Sequence, residues 1–244
     1  MKKEQYIFGI HPVLQALEAE KTIDKLFVQK GMDHSKIETI ISMSEKMGVS
    51  VNEVPIEKLD RMVRSNHQGV IAIASPIAFV SIEELIEPVL AKDKKGLFIL
   101  LDQISDVRNF GAIIRTAECT GVDGIIIQKK GGAPVSGDTI KTSAGAIFNI
   151  PICKVDHIKD AIFYLQGSGI KTIAATEKTD QYIYDLTLTD SIALVMGSES
   201  SGISKSVLQL CDEKAALPLM GEINSLNVSV ACGAFLYEIV RQRS

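Results

Sequence analysis

The sequence predicts an α/β fold in two parts, a small N-terminal α/β unit and a larger C-terminal domain built on a mostly parallel sheet. Three observations lead there. Short branched apolar segments alternate with segments of helical period along the chain. The alternation loosens between Ser75 and Gly96, around Pro76 and the run KDKKG (92–96). Beyond it the strand segments LFILLD (97–102) and IALVM (192–196) are almost wholly apolar, which suits strands covered on both faces. The expected division is residues 1–76, a connection over 77–96, and residues 97–244.

The first part reads as an apolar stretch over 6–10, then a helix over 11–20 with Pro12 in its first turn. A strand over 25–29 follows, and the spacing of Ile37, Ile40, Ile41, Met43 and Met47 predicts a helix over 35–47. A strand over 49–54, a short helix over 56–64 and a strand over 70–74 complete it. Residues 81–91 have a helical pattern inside the connection. The second part shows strands over 97–102, 124–128, 171–175, 192–196 and 215–217, with helices near 110–120, 156–166, 204–211 and 228–241. The last helix is apolar almost all round and is expected to be buried on every side.

Composition narrows the class. Of 244 residues, 46% are apolar and 23% charged, enough to build a core. No apolar run approaches the ~20 residues that cross a bilayer. The start, MKKEQYIFGIHPVLQ, has neither a long apolar stretch nor a small-residue cleavage site, so a cytoplasmic protein without a membrane partner is expected. Cys119, Cys153, Cys211 and Cys232 form no CxxC pair and the four histidines are scattered, so reduced thiols and no metal site are expected. Net charge is −4, with ten basic and ten acidic side chains over 1–76 and 13 against 16 over 96–244. Any grip on nucleic acid must therefore come from local patches.

In a parallel sheet, ligands bind at the carboxyl ends of strands. Three strand-end loops here have unusual composition. The first runs QISDVRNFGAIIRTAECTG, where Asn109 suits a helix cap, Gly111 permits close approach, and Arg115 interrupts an apolar helix and must pair with Glu118 or face a ligand. The second, GSESSGIS, puts Glu199 between flexible positions and matches neither GxGxxG nor GxSxG. The third, ALPLMGEINSLNVSVACG, stops a strand at Pro218 and offers Ser225 or Asn227 as the cap of the last helix.

Taken together, NxGxxxRxA (Asn109, Gly111, Arg115, Ala117), GxExxG (Gly197, Glu199, Gly202) and PxMxxxxSLNxSxA (Pro218, Met220, Ser225, Leu226, Asn227, Ser229, Ala231) resemble the three motifs of the SpoU, or TrmH-type, branch of the SPOUT methyltransferases. GIHPVLQAL (9–17) and NHQGV (66–70) resemble the ribosomal-protein-like substrate-binding domain of its ribosomal RNA (guanosine-2′-O-)-methyltransferase subgroup.

The resemblance implies a SPOUT domain whose last helix is threaded into a deep trefoil knot, and a homodimer packed through the catalytic domain. It implies S-adenosylmethionine as methyl donor, held by Gly197, Gly202, Leu217, Met220 and Leu226, and RNA rather than DNA as partner. The implied reaction is 2′-O-methylation of a ribose, a guanosine in 23S ribosomal RNA, with transfer RNA as the alternative substrate and a silent RNA-binding assembly factor as the alternative class. Arg115 would stabilise developing alkoxide charge, since arginine stays protonated in proteins. Asn109, Glu199, Ser225 and Asn227 would orient it and the ribose. For RNA contacts the residues singled out are Arg61, Arg64 and His67, near Lys58, and the basic loop Lys129–Lys130.

Overall fold

A computed structural model describes residues 6–32, 34–92 and 94–244; the first five residues, part of the start considered above, lie outside it. The chain divides into two compact units, residues up to 78 with 134–138, and residues 79–133 with 139–244.

The N-terminal unit runs β1 (Tyr6–Phe8), α1 (Ile10–Glu18), β2 (Ile23–Gln29), α2 (Ser35–Lys46), β3 (Ser50–Val54), α3 (Ile56–Met62) and β4 (Val70–Ala74). Its four strands lie in the order β1-β4-β2-β3, with β2 and β3 parallel and the other pairs antiparallel. The two-residue period of a strand sorts its side chains. Leu26, Val28, Val70 and Ala72 pack under Val13, Leu17, Ile37 and Ile40 of α1 and α2. Phe27, Ile71 and Ile73 point the other way, onto Leu59 and Val63. Helix α3 stops at Met62 because Val63 is extended, so Arg64 lies past its end rather than on one face with Lys58 and Arg61. The NHQG segment is a turn: Gln68 takes φ +51°, its Oε1 accepts the first amide of α1 from Ile10, and His67 Nδ1 accepts from the Gly69 amide.

The second unit opens with α4 (Ile82–Leu90), capped by a reciprocal Ser81–Glu84 pair. Its Leu85 and Ile86 are buried with Phe98, Leu100, Ile126 and Ile162, so this part of the expected connection belongs to a core. After it come β5 (Leu97–Asp102), α5 (Val107–Cys119), β6 (Gly124–Gln128), α6 (Gly137–Thr142), β7 (Ile152–Val155), α7 (Ile158–Gly167) and β8 (Lys171–Ala175). The chain ends with β9 (Ile192–Gly197), α8 (Lys205–Leu208), β10 (Glu213–Ala215) and α9 (Val228–Arg243). The six strands, ordered β10-β8-β9-β5-β6-β7, are all parallel. Strand β7 was not anticipated; it has four residues, lies at the sheet edge and is interrupted by Lys154.

Two expectations about helices change. Helix α5 begins earlier than expected: Asp106 is the cap, accepting from the amides of Arg108 and Asn109, so Asn109 sits inside the first turn. Helix α9 is not enclosed. Cys232, Phe235, Leu236 and Ile239 are buried, but Val230 and Tyr237 are each 57% exposed and Ala234 between them is exposed too. Within the chain α9 packs on α5, β8 and β9, which cover one side of it.

The C-terminal turns of α9 are held by polar contacts. Glu238, buried, accepts from Arg241 Nε and Nη2 and from Gln242 Nε2, each at 2.8 Å. Gln242 also donates to Leu186 O and accepts from Leu188 N. The Arg241 and Gln242 donors hold the Glu238 carboxyl down at about 2 from 4.5. A depressed carboxylate contributes stability above its unfolded value that is lost as pH falls through the folded one. The melting-temperature advantage of the unaltered chain over Glu238→Gln is therefore expected to shrink from about pH 6 to about pH 2.5 in calorimetric scans. An advantage that stays constant over this range would show that the carboxylate charge contributes nothing.

Candidate active site

The carboxyl edge of the parallel sheet brings the three loops together. Strand β9 ends at Gly197, where an added Cβ would lie 2.1 Å from Gly202 C and Ile203 N. No side chain fits there. The chain doubles back in a closed turn, Ser198 N donating to Gly202 O and Gly202 N to Ser198 O at 3.1 and 2.9 Å, with Gly202 at φ +67°. Glu199 is thereby held at the exposed tip. The base of the turn is tied to β5: Asp102, 1% exposed, accepts the Ser204 amide at 2.8 Å.

The first and third loops meet through two asparagines. Asn227 caps α9, its Oδ1 accepting from the amides of Ser229 and Val230 and from the Ser229 hydroxyl. Its Nδ2 donates to Asn109 Oδ1 at 3.1 Å. One carboxamide thus uses both ends, stopping the loop and joining α5 to α9. Gly111 serves the same region. A Cβ there would fall 2.0 Å from Thr142 Oγ1 and 2.9 Å from Ser143 N, so the close approach expected at this glycine is made by the chain itself.

Between the turn and the third loop lies a cleft of about 590 Å³. Gly197, Glu199 and Gly202 form one wall; Leu217, Ser225, Leu226 and Asn227 form the other. Thr176 and Glu177 at the end of β8 close a third side, with Ala231 and Phe235 of α9 at the floor. From Leu217 to Leu226 the backbone makes no hydrogen bond to other backbone among the described residues. Amides and carbonyls along this stretch are therefore available to a bound molecule.

Other singled-out residues lie elsewhere. Met220 is 97% exposed and does not line the cleft, although an apolar wall was expected of it. Arg115 lies on α5, outside the cleft, exposed and without an ion pair among the described residues; Glu118 instead accepts from Asn149 Nδ2. Lys129 is engaged with Asp156 at 2.9 Å, whereas Lys130 is exposed. In the N-terminal unit Arg61 and Arg64 are exposed, while His67 is buried with Nε2 3.0 Å from Asp60. Among the described residues no group of three His, Cys, Asp or Glu side chains could hold a metal ion, and no helix is long and apolar enough to cross a membrane.

The sequence reading missed Asp102, although an acid closing the apolar run LFILL was a visible signal. It also missed Thr176 and Glu177, whose place at the cleft follows only from β8 lying between β9 and β10.

Comparison with known proteins identifies the family. The model of the SpoU rRNA methylase family matches residues 96–237, and that of the RNA 2′-O ribose methyltransferase substrate-binding domain matches residues 6–80. A TrmH family tRNA/rRNA methyltransferase of Bacillus subtilis (strain 168) is 30% identical over 243 residues, 100% of this chain and 98% of that one. A Staphylococcus aureus (strain COL) protein of the same description is 34% identical over 244 residues, 99% and 97% of the two chains. Among solved structures, the SpoU methyltransferase AviRb of Streptomyces viridochromogenes in complex with AdoMet shares the fold, with TM-score 0.62 and 22% identity over 98% of this chain and 90% of that one. The A. aeolicus TrmH/SpoU tRNA modifying enzyme superposes with TM-score 0.56 and 29% identity, covering 62% and 76%. The chain belongs to the SpoU family of RNA methyltransferases.

Proposed function

We propose that this chain methylates the 2′-hydroxyl of a ribose in ribosomal RNA, a guanosine in the large-subunit RNA, using S-adenosylmethionine. The observation that carries the reaction is the convergence of Gly197–Gly202 and Leu217–Asn227 around one cleft, with Asn109 tied to its wall through Asn227. The match of residues 6–80 to a substrate-binding domain supports a large structured RNA over a transfer RNA. A homodimer in the cytoplasm and a knotted last helix belong to the same proposal. The stripe Val230, Ala234 and Tyr237, left uncovered on α9, supports the dimer.

The cleft fits the donor. Its volume lies in the range of small-molecule sites. The unpaired backbone of 217–226 offers both donors and acceptors, which an adenine edge requires. Leu217 and Leu226 supply apolar walls. S-adenosylmethionine, when bound, supplies a methyl group on a cationic sulfur that a ribose oxygen displaces in line. The chain aligns the acceptor and favours loss of its proton. Arg115, with no intramolecular partner among the described residues, is free to hold the adjoining phosphate and stabilise charge developing on the ribose oxygen. Asn109 and Asn227 set the entry of α5 and α9, and Glu199 stands at the mouth of the cleft.

Arg115→Ala should reduce methyl transfer to 23S ribosomal RNA at least a hundredfold, while affinity for S-adenosylmethionine measured by calorimetry stays within about twofold. Retained transfer would remove Arg115 from the reaction, and methylation of transfer RNA transcripts instead would redirect the substrate. Asn227→Ala should cost about 1 kcal/mol of stability through the lost cap. Asn227→Asp keeps the cap but cannot donate to Asn109, so it should retain stability and lose transfer rate; equal rates would show that the cap alone matters. Tyr237→Asp should shift the protein from dimer to monomer in sedimentation, and a monomeric parent would refute the dimer.

A further inference from the structure

A second cleft, of about 490 Å³, opens on the other side of the Gly197–Gly202 turn. Ser198, Ser200 and Ser201 line both clefts, so the turn is the partition between them. The far side is built by the ends of β5 and β6, through Gln103, Ser105, Gln128 and Lys130. The clefts differ in chemistry. The first combines apolar Leu217, Leu226 and Phe235 with the carboxylates Glu177 and Glu199 and open backbone, whereas the second is lined by carboxamides, hydroxyls and one amine, with no carboxylate and no aromatic ring among its described residues.

Two features mark this second cleft as a site. Gln103 stands at φ +62°, a left-handed conformation that side chains other than glycine rarely take, immediately after the buried Asp102 that anchors the turn. Neither carboxamide, at Gln103 or at Gln128, nor the Lys130 amine has a hydrogen-bond partner among the described residues, whereas neighbouring Lys129 is held by Asp156. The groups are left open toward the cleft.

Resting on the methyl-transfer reading above, we propose that this cleft reads the base of the nucleotide whose ribose is methylated. It selects a lactam edge, the adjacent ring N–H and carbonyl of guanine or uracil. A carboxamide is the complement of that edge, its oxygen accepting from the ring N–H and its amino group donating to the carbonyl. Lys130, a donor without acceptor capacity, adds a second bond to the same carbonyl oxygen. Adenine and cytosine present an amino group where Lys130 needs an acceptor. The absence of aromatic side chains makes edge hydrogen bonding, rather than stacking, the means of selection. With the donor in the first cleft, the partition turn lies between the base and the donor, and the ribose is left near its rim.

The test uses the full chain, labelled S-adenosylmethionine, and unmodified 23S ribosomal RNA and transfer RNA transcripts, with the methylated nucleotide mapped by primer extension. The acceptor should be guanosine or uridine. Gln103→Ala, Gln128→Ala and Lys130→Ala should each lower kcat/KM roughly tenfold to a hundredfold, with S-adenosylmethionine affinity by calorimetry unchanged. Inosine at a guanosine acceptor, which keeps the lactam, should be methylated, and adenosine there should not; 5-methyluridine and cytidine play these parts at a uridine. Mapping to adenosine or cytidine, or unchanged kcat/KM in all three variants, would overturn the base-reading cleft while leaving the methyltransferase reading intact. No transfer by the unaltered chain to either RNA, despite donor binding, would overturn both.

Discussion

The carboxyl edge of the second unit depends on one close approach, the closure of the Gly197–Gly202 turn. Two backbone segments pass within a distance that excludes even a methyl group. The turn they close is anchored below by the Asp102 carboxylate on the Ser204 amide. A polar group removed from water is costly unless a hydrogen bond meets it, so buried Asp102 and the turn constrain each other. The result is a partition at the carboxyl edge of the sheet, with a cleft on either side of it. A flexible turn would let the two spaces merge and would lose the alignment that an in-line displacement needs.

A second junction complements it. Asn227 divides its carboxamide between capping α9 and holding Asn109. The loop before α9 can then leave its backbone unpaired, because the helix behind it is already stopped and tied to α5. Stability is drawn from the sheet, from the core of Phe98, Leu100, Ile126 and Ile162, and from the polar contacts at the end of α9. The loops that form the clefts lie outside that core and are held to it through Asp102 and Asn227. This separation is the usual one between a scaffold and the connections that carry chemistry.

Much of the fold was legible in periodicity. The strands of the large sheet, except β7 and β10, and the helices α4, α5, α7 and α9 appear where the apolar spacing puts them, because fully covered parallel strands need nearly continuous branched residues; β10, expected over 215–217, is instead the edge segment Glu213–Ala215, which carries no such run. Edges were less legible. The cap of α5 moved from Asn109 to Asp106, since both residue types cap well and only the backbone shows which amides need an acceptor. The exposed side of α9 was hidden for a related reason. Val230, Ala234 and Tyr237 are apolar in sequence, and burial depends on which neighbours arrive.

By itself the sequence determined the α/β class, the spacing of three motifs and, through them, the family, because each motif is local and its residues keep their spacing in any fold. Tertiary structure alone decided which loops share a wall. It placed Leu217 and Leu226 in the first cleft and left Met220 in solvent, and it brought Gln103, Gln128 and Lys130 to one opening from strands that the sequence separates by more than twenty residues. It also turned His67 inward, to a turn amide and Asp60, while Arg61 and Arg64 face solvent. The physical reason is common to all of them: a residue's type sets what it can bond to, but strand order and the folding back of turns set what stands within reach.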